Sequence, residues 1–365
     1  MEKVENRRRI KDVRQKIREL GIDALIVTEI QDVRYLSGFT GHDSWLMVLP
    51  RSVILITDSR YTEQSQRECV GCKIIQRSDG LIKEVATILA KSKSVTAIGI
   101  QDSCSVALFK RLRKDLSVKV KAIKPMVYKL RMIKTADEVR LIRKATKIAF
   151  DSMDWALEQL KPGMTELELS ALYEYQLSSH QATKGFDTIV CFGPNGSRNH
   201  HQPSSKRLRK NDTILLDFGA NYQGYISDMT RCLAFGKRTL YFEKVYQVVA
   251  RAQQVAIRAV KAGVKLCDVD AAARDVIKTS EFPLYEHGTG HGLGLQVHEF
   301  PNVSHAGKNE RLQSGQVITI EPGVYLPGKL GVRLEDDVLV TDSGCRILSR
   351  DKRFDIKTDI VPLLK

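Results

Sequence analysis

Apolar residues in the first 130 positions come in short runs separated by helical stretches. ALIVTE at 24–29, SWLMVL at 44–49, SVILITD at 52–58, KIIQ at 73–76 and TAIGI at 96–100 have the length and composition of strands. Between some of them, LIKEVATILAK and VALFKRLRKDL carry the helical period. The opening MEKVENRRRIKDVRQKIREL spaces Ile10, Val13, Ile17 and Leu20 for one helix face, and it lacks the apolar core of a secretory signal. Strands alternating with helices predict an α/β domain over 1–130. From 131 to 365 the pattern changes. Thr135 with Glu138, and Thr165 with Glu168, fit capping boxes at helix starts. LKPGMTELELSALYEYQL from Leu160 resembles VKAGVKLCDVDAAARDVI from Val260, with Gly163 and Gly263, and Ala171 and Ala271, in matching places. Each copy follows a helical pattern and precedes strand-like segments, so this second domain reads as an internal duplication.

Two further stretches bring carboxylates together. LLDFGANYQGYISDMTR, residues 215–231, reads as a hairpin. Asp217 ends its apolar run, Gly219 and Gly224 mark the turn, and Asp228 falls on the return strand. VITIEPGVYLPGKLGVRLEDDVLV, residues 317–340, reads as a second such unit, with Glu321 before a Pro-Gly turn and Glu335 on the following strand. Between them HGTGHGLGLQVHE sets His287, His291 and His298 among glycines, which let backbone approach a ligand closely. Taken singly, each residue has an ordinary explanation as a turn, edge or core residue. Asp217, Asp228, His291, Glu321 and Glu335 together form a candidate metal set. Four carboxylates buried without a counter-charge would be very costly. Two divalent cations and one bridging hydroxide leave the group near neutrality, whereas a single cation leaves two charges unpaired. The charge balance therefore favours a dinuclear site that holds hydroxide as a nucleophile. Four oxygen ligands and one nitrogen suit manganese, with cobalt, zinc or iron as alternatives.

Composition narrows the function classes. The net charge is +15, with basic clusters at Arg7–Arg9, Lys110–Lys114 and Lys206–Lys210. They are not interleaved with aromatics and accompany no nucleic-acid motif, so they read as solvated faces. No apolar run approaches the ~18 residues needed to span a membrane. Seven scattered cysteines, an odd count, argue against a disulfide framework and for the reducing cytoplasm. The lone Cys69-Val-Gly-Cys72 has no second pair and reads as coincidence.

The five candidate ligands, with DVRYLSGFTG at 32–41 and KLRMIKTADEVRLIRKA at 129–145, resemble the metallopeptidases of the pita-bread fold. That group contains methionine aminopeptidase, Xaa-Pro aminopeptidase (aminopeptidase P) and Xaa-Pro dipeptidase (prolidase). The front domain favours the proline-specific branch. The resemblance implies an α/β N-terminal domain of the creatinase type over 1–130. An α+β pita-bread (creatinase/aminopeptidase-like) catalytic domain with internal pseudo-twofold duplication would follow over 131–365. It also implies roles. Asp217 and Asp228 bridge or chelate, His291 binds one metal, Glu335 bridges both, and Glu321 is ligand and proton acceptor. Hydroxide attacks the carbonyl before proline. His298 contacts that carbonyl or the tetrahedral intermediate, while His200 in NHHQPSSK shuttles a proton or binds substrate. His287 is another substrate-side histidine. Phe186 in GFDTIVCFG, joined by Val297, forms the apolar wall of a proline pocket. Arg333 holds the site carboxylates or stabilises the substrate. His201 and His305 read as structural or surface residues. A cytoplasmic homodimer is expected, with no membrane or nucleic-acid partner.

Some family dipeptidases carry an arginine just after the His-Glu-aromatic-Pro segment. Here that place is Asn302 in His298-Glu299-Phe300-Pro301-Asn302. The substitution favours aminopeptidase P, with prolidase the alternative. A non-catalytic RNA- or protein-binding module on the same fold is a third reading, and so is a metal-free hydrolase. Neither has need of five matched ligands.

Overall fold

The first unit, Met1–Arg131, is built on one six-stranded sheet. The structure, a computed structural model, describes residues 2–350 and 363–364. The elements run α1 (Glu2–Glu19), β1 (Ala24–Val27), α2 (Ile30–Ser37), β2 (Trp45–Val48), β3 (Val53–Thr57), α3 (Thr62–Glu68), β4 (Lys73–Gln76), α4 (Leu81–Ala90), β5 (Ala97–Gln101), α5 (Val106–Asp115), β6 (Lys119–Ile123) and α6 (Val127–Met132). Strand order is β4-β3-β2-β1-β5-β6. The central strands β1 and β3 are buried along their whole length, and such strands read as continuous apolar runs. Strand β6 was not anticipated. It is an edge strand in which exposed Lys119 and half-buried Lys121 flank buried Val120. Lysines on an edge discourage pairing with another chain, and they also mask the apolar run. Helix α1 buries Ile10, Val13 and Ile17 as its spacing predicts. Leu20 lies beyond the helix end and is exposed, which corrects that part of the reading.

The second unit, Met132–Lys365, contains two similar halves. The first has α7 (Ala136–Glu158), α8 (Glu166–Ser179), β7 (Thr183–Lys184), β8 (Ile189–Phe192), β9 (Thr213–Phe218), β10 (Ala220–Tyr222), β11 (Tyr225–Ile226) and β12 (Met229–Phe235). The second has α9 (Leu240–Ala259), α10 (Leu266–Lys278), β13 (Gly290–Gly292), β14 (Glu299–Val303), β15 (Val317–Ile320), β16 (Gly323–Leu326), β17 (Leu330–Arg333), β18 (Asp336–Val340) and β19 (Cys345–Ile347). Both capping boxes form. The Thr135 and Thr165 amides donate to Glu138 and Glu168 at 2.8 and 2.7 Å, and each glutamate's amide donates back to the threonine hydroxyl.

The turns between the paired helices match in detail. Gly163 and Gly263 have φ of 85° and 87°, a region that favours glycine. Arg207 Nη1 donates to the Gly163 carbonyl and Arg311 Nη1 to that of Gly263, each at 2.7 Å. In β9, Ile214, Leu216 and Phe218 join the core under α7 and α8, while Leu215 joins the core around α9 and α10. Two buried faces explain the unbroken apolar run before Asp217.

Each predicted hairpin is interrupted by a small arm. Strands β9 and β12 pair from Thr213↔Ala234 to Phe218↔Met229, and the β10–β11 arm sits between them. Strands β15 and β18 pair up to Ile320↔Asp336, with the β16–β17 arm between. Asp228 and Glu335 therefore stand one residue before β12 and β18 rather than on the return strands. No helix among the described residues is long and apolar enough to cross a membrane. All seven cysteines are free.

Candidate metal centre

The two interrupted hairpins carry all four carboxylates to one place. Asp217 pairs with Thr230 across β9 and β12, which sets Asp228 on its diagonal. Glu321 and Glu335 flank the last pair of β15 and β18, so they face each other where the arm begins. His291 lies in β13, whose Gly292 pairs with Ile318 of β15. A Cβ on Gly290 would fall 1.9 Å from the Thr319 carbonyl oxygen, so only glycine lets β13 come this near. All five residues line one cavity of about 670 Å³.

His291 Nε2 is 3.6 Å from Asp228 Oδ2 and 3.6 Å from Glu321 Oε1. One donor atom each from Asp228, His291 and Glu335 lie within 4.8 Å of one another. His291 Nδ1 faces the Gly292 carbonyl at 3.1 Å. A carbonyl cannot donate, so Nδ1 carries the proton and Nε2 turns its lone pair toward the carboxylates, the state a metal ligand takes.

Burial, then Glu335 and Asp217, push the Asp228 carboxyl well above its ordinary range. Burial, then Glu321 and Asp217, do the same to Glu335. Glu321 is pushed up to about 8, chiefly by burial, with Arg333 opposing. Burial, helped by His298, lowers His291 to about 4. Asp217 Oδ2 accepts from Arg333 Nη2 at 2.6 Å, while its Oδ1 is buried without a hydrogen-bond partner. An orphaned oxygen, three carboxyls driven toward neutrality and an imidazole offering its lone pair are the donor set a divalent cation would ionise and satisfy.

The other predicted residues divide clearly. His200, His287, His298, Phe186, Val297 and Arg333 all line the cavity. The His298 ring meets that of His291 edge-on, centroids 4.4 Å apart. His287 Nδ1 faces the Gly288 carbonyl, so Nε2 accepts from the Tyr325 hydroxyl at 3.0 Å. Burial pushes His287 down to about 4. His201 is buried outside the cavity lining, and His305 is exposed. Asn302 and Ser304 stand in the cavity wall.

Two residues escaped sequence reasoning. Tyr325 in β16 receives Arg333 Nη1 at 3.0 Å and joins it to His287. Thr230 donates to Glu335 Oε2 at 2.6 Å and accepts from Arg333 Nε at 3.1 Å. A tyrosine and a threonine in apolar strands carry no signal of their own.

Comparison with known proteins places the chain in a metallopeptidase family. Residues 140–342 match the model of metallopeptidase family M24, and residues 9–133 match the creatinase/prolidase N-terminal domain. The peptidase YqhT of Bacillus subtilis is 34% identical over 94% of this chain and 98% of its own. An Xaa-Pro dipeptidase from Bacillus anthracis superposes with a TM-score of 0.92 at 31% identity, covering 98% of this chain and 100% of that one. An X-Pro aminopeptidase from Thermotoga maritima gives 0.89 at 32%, covering 97% and 99%. With the interrupted hairpins, their carboxylates and both domain matches in agreement, the chain belongs to metallopeptidase family M24, a creatinase-type N-terminal domain followed by a pita-bread catalytic domain.

Proposed function

We propose that this metallopeptidase is a Xaa-Pro aminopeptidase, releasing the first residue of a peptide whose second residue is proline. One observation carries the choice. Among the described residues Arg333 is the only lysine or arginine in the cavity lining, and it is already committed to Asp217, Tyr325 and Thr230. Asn302 and Ser304 in the same wall are uncharged, so the lining offers no uncommitted lysine or arginine to a dipeptide's carboxylate, and a longer peptide needs none directly after proline. The dipeptidase reading has its own support in the name borne by the Bacillus anthracis relative.

Asp217, Asp228, His291, Glu321 and Glu335 would hold two divalent cations, manganese first, which supply a water nucleophile at neutral pH and polarise the scissile carbonyl. Glu321, ionised once the cations are bound, would accept the proton of the attacking water. His298 and His200, exposed at the cavity, donate to the carbonyl oxygen and the departing proline nitrogen. His287, pinned by Tyr325, stands on the substrate side. Phe186 and Val297, both half-buried, form the apolar wall for the pyrrolidine ring. The homodimer and the cytoplasmic location belong to the same proposal, the second supported by seven free cysteines.

The test gives manganese-loaded protein Ala-Pro, Ala-Pro-Ala and Ala-Ala-Ala. Cleavage of Ala-Pro-Ala before proline, with little turnover of the other two, is expected. Turnover of Ala-Pro alone would make the enzyme a dipeptidase. Failure on both proline peptides with every candidate metal would end the peptidase reading.

A further inference from the structure

Glu166 is fully buried in the first turn of α8 and does not line the cavity, yet five donors converge on its carboxylate. Oε1 accepts from the Phe192 amide and from Asn195 Nδ2, both at 2.8 Å. Oε2 accepts from the Ser204 amide at 3.0 Å, the Ser204 hydroxyl at 2.6 Å and His201 Nε2 at 2.8 Å. Burial alone would raise this carboxyl, but the donors outweigh it and hold it below its ordinary range. It is therefore an anion spread over hydrogen bonds, the strong kind of anchor.

What it anchors is the segment 192–204, gripped at both ends and at His201. Between the grips are Asn199 and His200, both in the cavity wall. The middle of the segment lies against β17. A Cβ on Gly331 would fall 1.8 Å from the Gly196 carbonyl oxygen, and the Asn199 carbonyl faces Arg333 Nη1 at 3.4 Å. His200 is thus the residue next to the one Glu166 holds.

The second half hangs its own histidine loop from its second helix by different residues. Position 266, the counterpart of Glu166, is leucine. One turn on, buried Asp270 accepts from Arg274 Nε at 2.8 Å and from the Thr289 hydroxyl at 2.6 Å. Arg274 then donates to the carbonyls of Tyr285 and His287 at 2.7 and 2.6 Å. Each half thus ties a histidine-bearing segment to its second helix through a buried carboxylate, at different positions along the chain.

We propose that Glu166 is a positioning residue that sets the pose of His200 at the cavity through its grip on Asn195, His201 and Ser204. The proposal rests on the peptidase reading only for its kinetic consequence. The test uses the full chain, ¹⁵N-labelled at histidine and loaded with zinc, which is diamagnetic. The His200 ring resonance is assigned by its loss in His200→Ala. In Glu166→Gln, which replaces an acceptor oxygen by a donor, this resonance should shift or broaden. Misplacement of this kind should lower kcat/KM on Ala-Pro-Ala by about 10- to 100-fold. Added to His200→Ala, the same substitution should cost less than about twofold, because both act through one group. Ser204→Ala removes one donor of the five and should move the same resonance to a smaller degree, so it carries the test if Glu166→Gln does not fold. An unmoved resonance in a folded variant overturns the proposal, and so does an equal kinetic loss with and without His200. A moved resonance with His200→Ala fully active upholds the positioning and removes the catalytic role given to His200.

Discussion

At the scale of residues, the candidate ligands explain little without the groups that aim them. Glu335 is buried and depends on the Thr230 hydroxyl, which in turn receives Arg333. Thr230→Val keeps the shape, strands one carboxylate oxygen and frees an arginine donor. Losing such a supporting contact should weaken metal binding by about 10- to 100-fold, and leaving buried groups unsatisfied should cost about 1–3 kcal/mol of stability. Titration calorimetry with manganese, alongside urea unfolding, checks both, and unchanged affinity would refute the role. The five candidate ligands stand out in the sequence because a carboxylate in an apolar run and a histidine among glycines break the local pattern, and all five line one cavity. Thr230 and Tyr325 break none. Thr230 meets Glu335 across 105 positions of sequence and His287 meets Tyr325 across 38, and one chain read in order contains no trace of either pairing.

At the scale of elements, the longer helices and the buried strands of the first unit followed from periodicity, whereas the short helices α2 and α3 and the arms did not. A turn of Gly219 and Gly224 looks the same whether it closes one hairpin or begins a short β10–β11 excursion, so the strands were read as continuous through Asp228. The turn before β14 shows what such excursions need. Glu299 Oε1 accepts from the amides of Leu295 and Gln296, and its Oε2 faces Lys134 Nζ at 3.2 Å, both side chains nearly inaccessible. This turn carries Val297 and His298 into the cavity wall. Lys134→Met leaves the Glu299 charge buried without the ammonium that faces it, and breaking a buried pair from one side costs about 3–5 kcal/mol. Adding Glu299→Gln should recover part of the loss, since the amide oxygen still accepts from the turn. Denaturant midpoints of the single and double variants test this. A double variant no more stable than Lys134→Met would show that the charge is not what matters.

For the whole molecule, most of the +15 charge belongs to the first unit. The first 131 residues hold 26 lysines and arginines against 15 acids, while the cavity of the second unit holds Asp187, Asp217, Asp228, Glu321 and Glu335 against Arg333. A basic protein therefore keeps a concentrated acidic centre, and folding has to carry it. The consequence is a pH dependence of stability that a metal should remove. In chelated protein Glu321 titrates near 8 instead of 4.5, and Asp228 and Glu335 are raised as well. The folded state then binds more protons than the unfolded one, so this contribution to stability is complete below about pH 4.5 and is lost as pH rises through 8. His287 and His291 act in the opposite sense. Lowered from 6.5 to about 4, they make stability rise with pH, but only up to 6.5. Above that point the carboxyls act alone, which makes pH 6.5–8 the informative window. There the melting temperature of chelated protein should fall steadily. Manganese held by the ionised carboxylates would stabilise the fold by mass action, so the loaded protein should hold its melting temperature and the gap between the two should widen with pH. Thermal scans at fixed metal excess across this window decide the matter. Parallel curves would mean that the buried carboxylates do not carry the burden their geometry assigns to them.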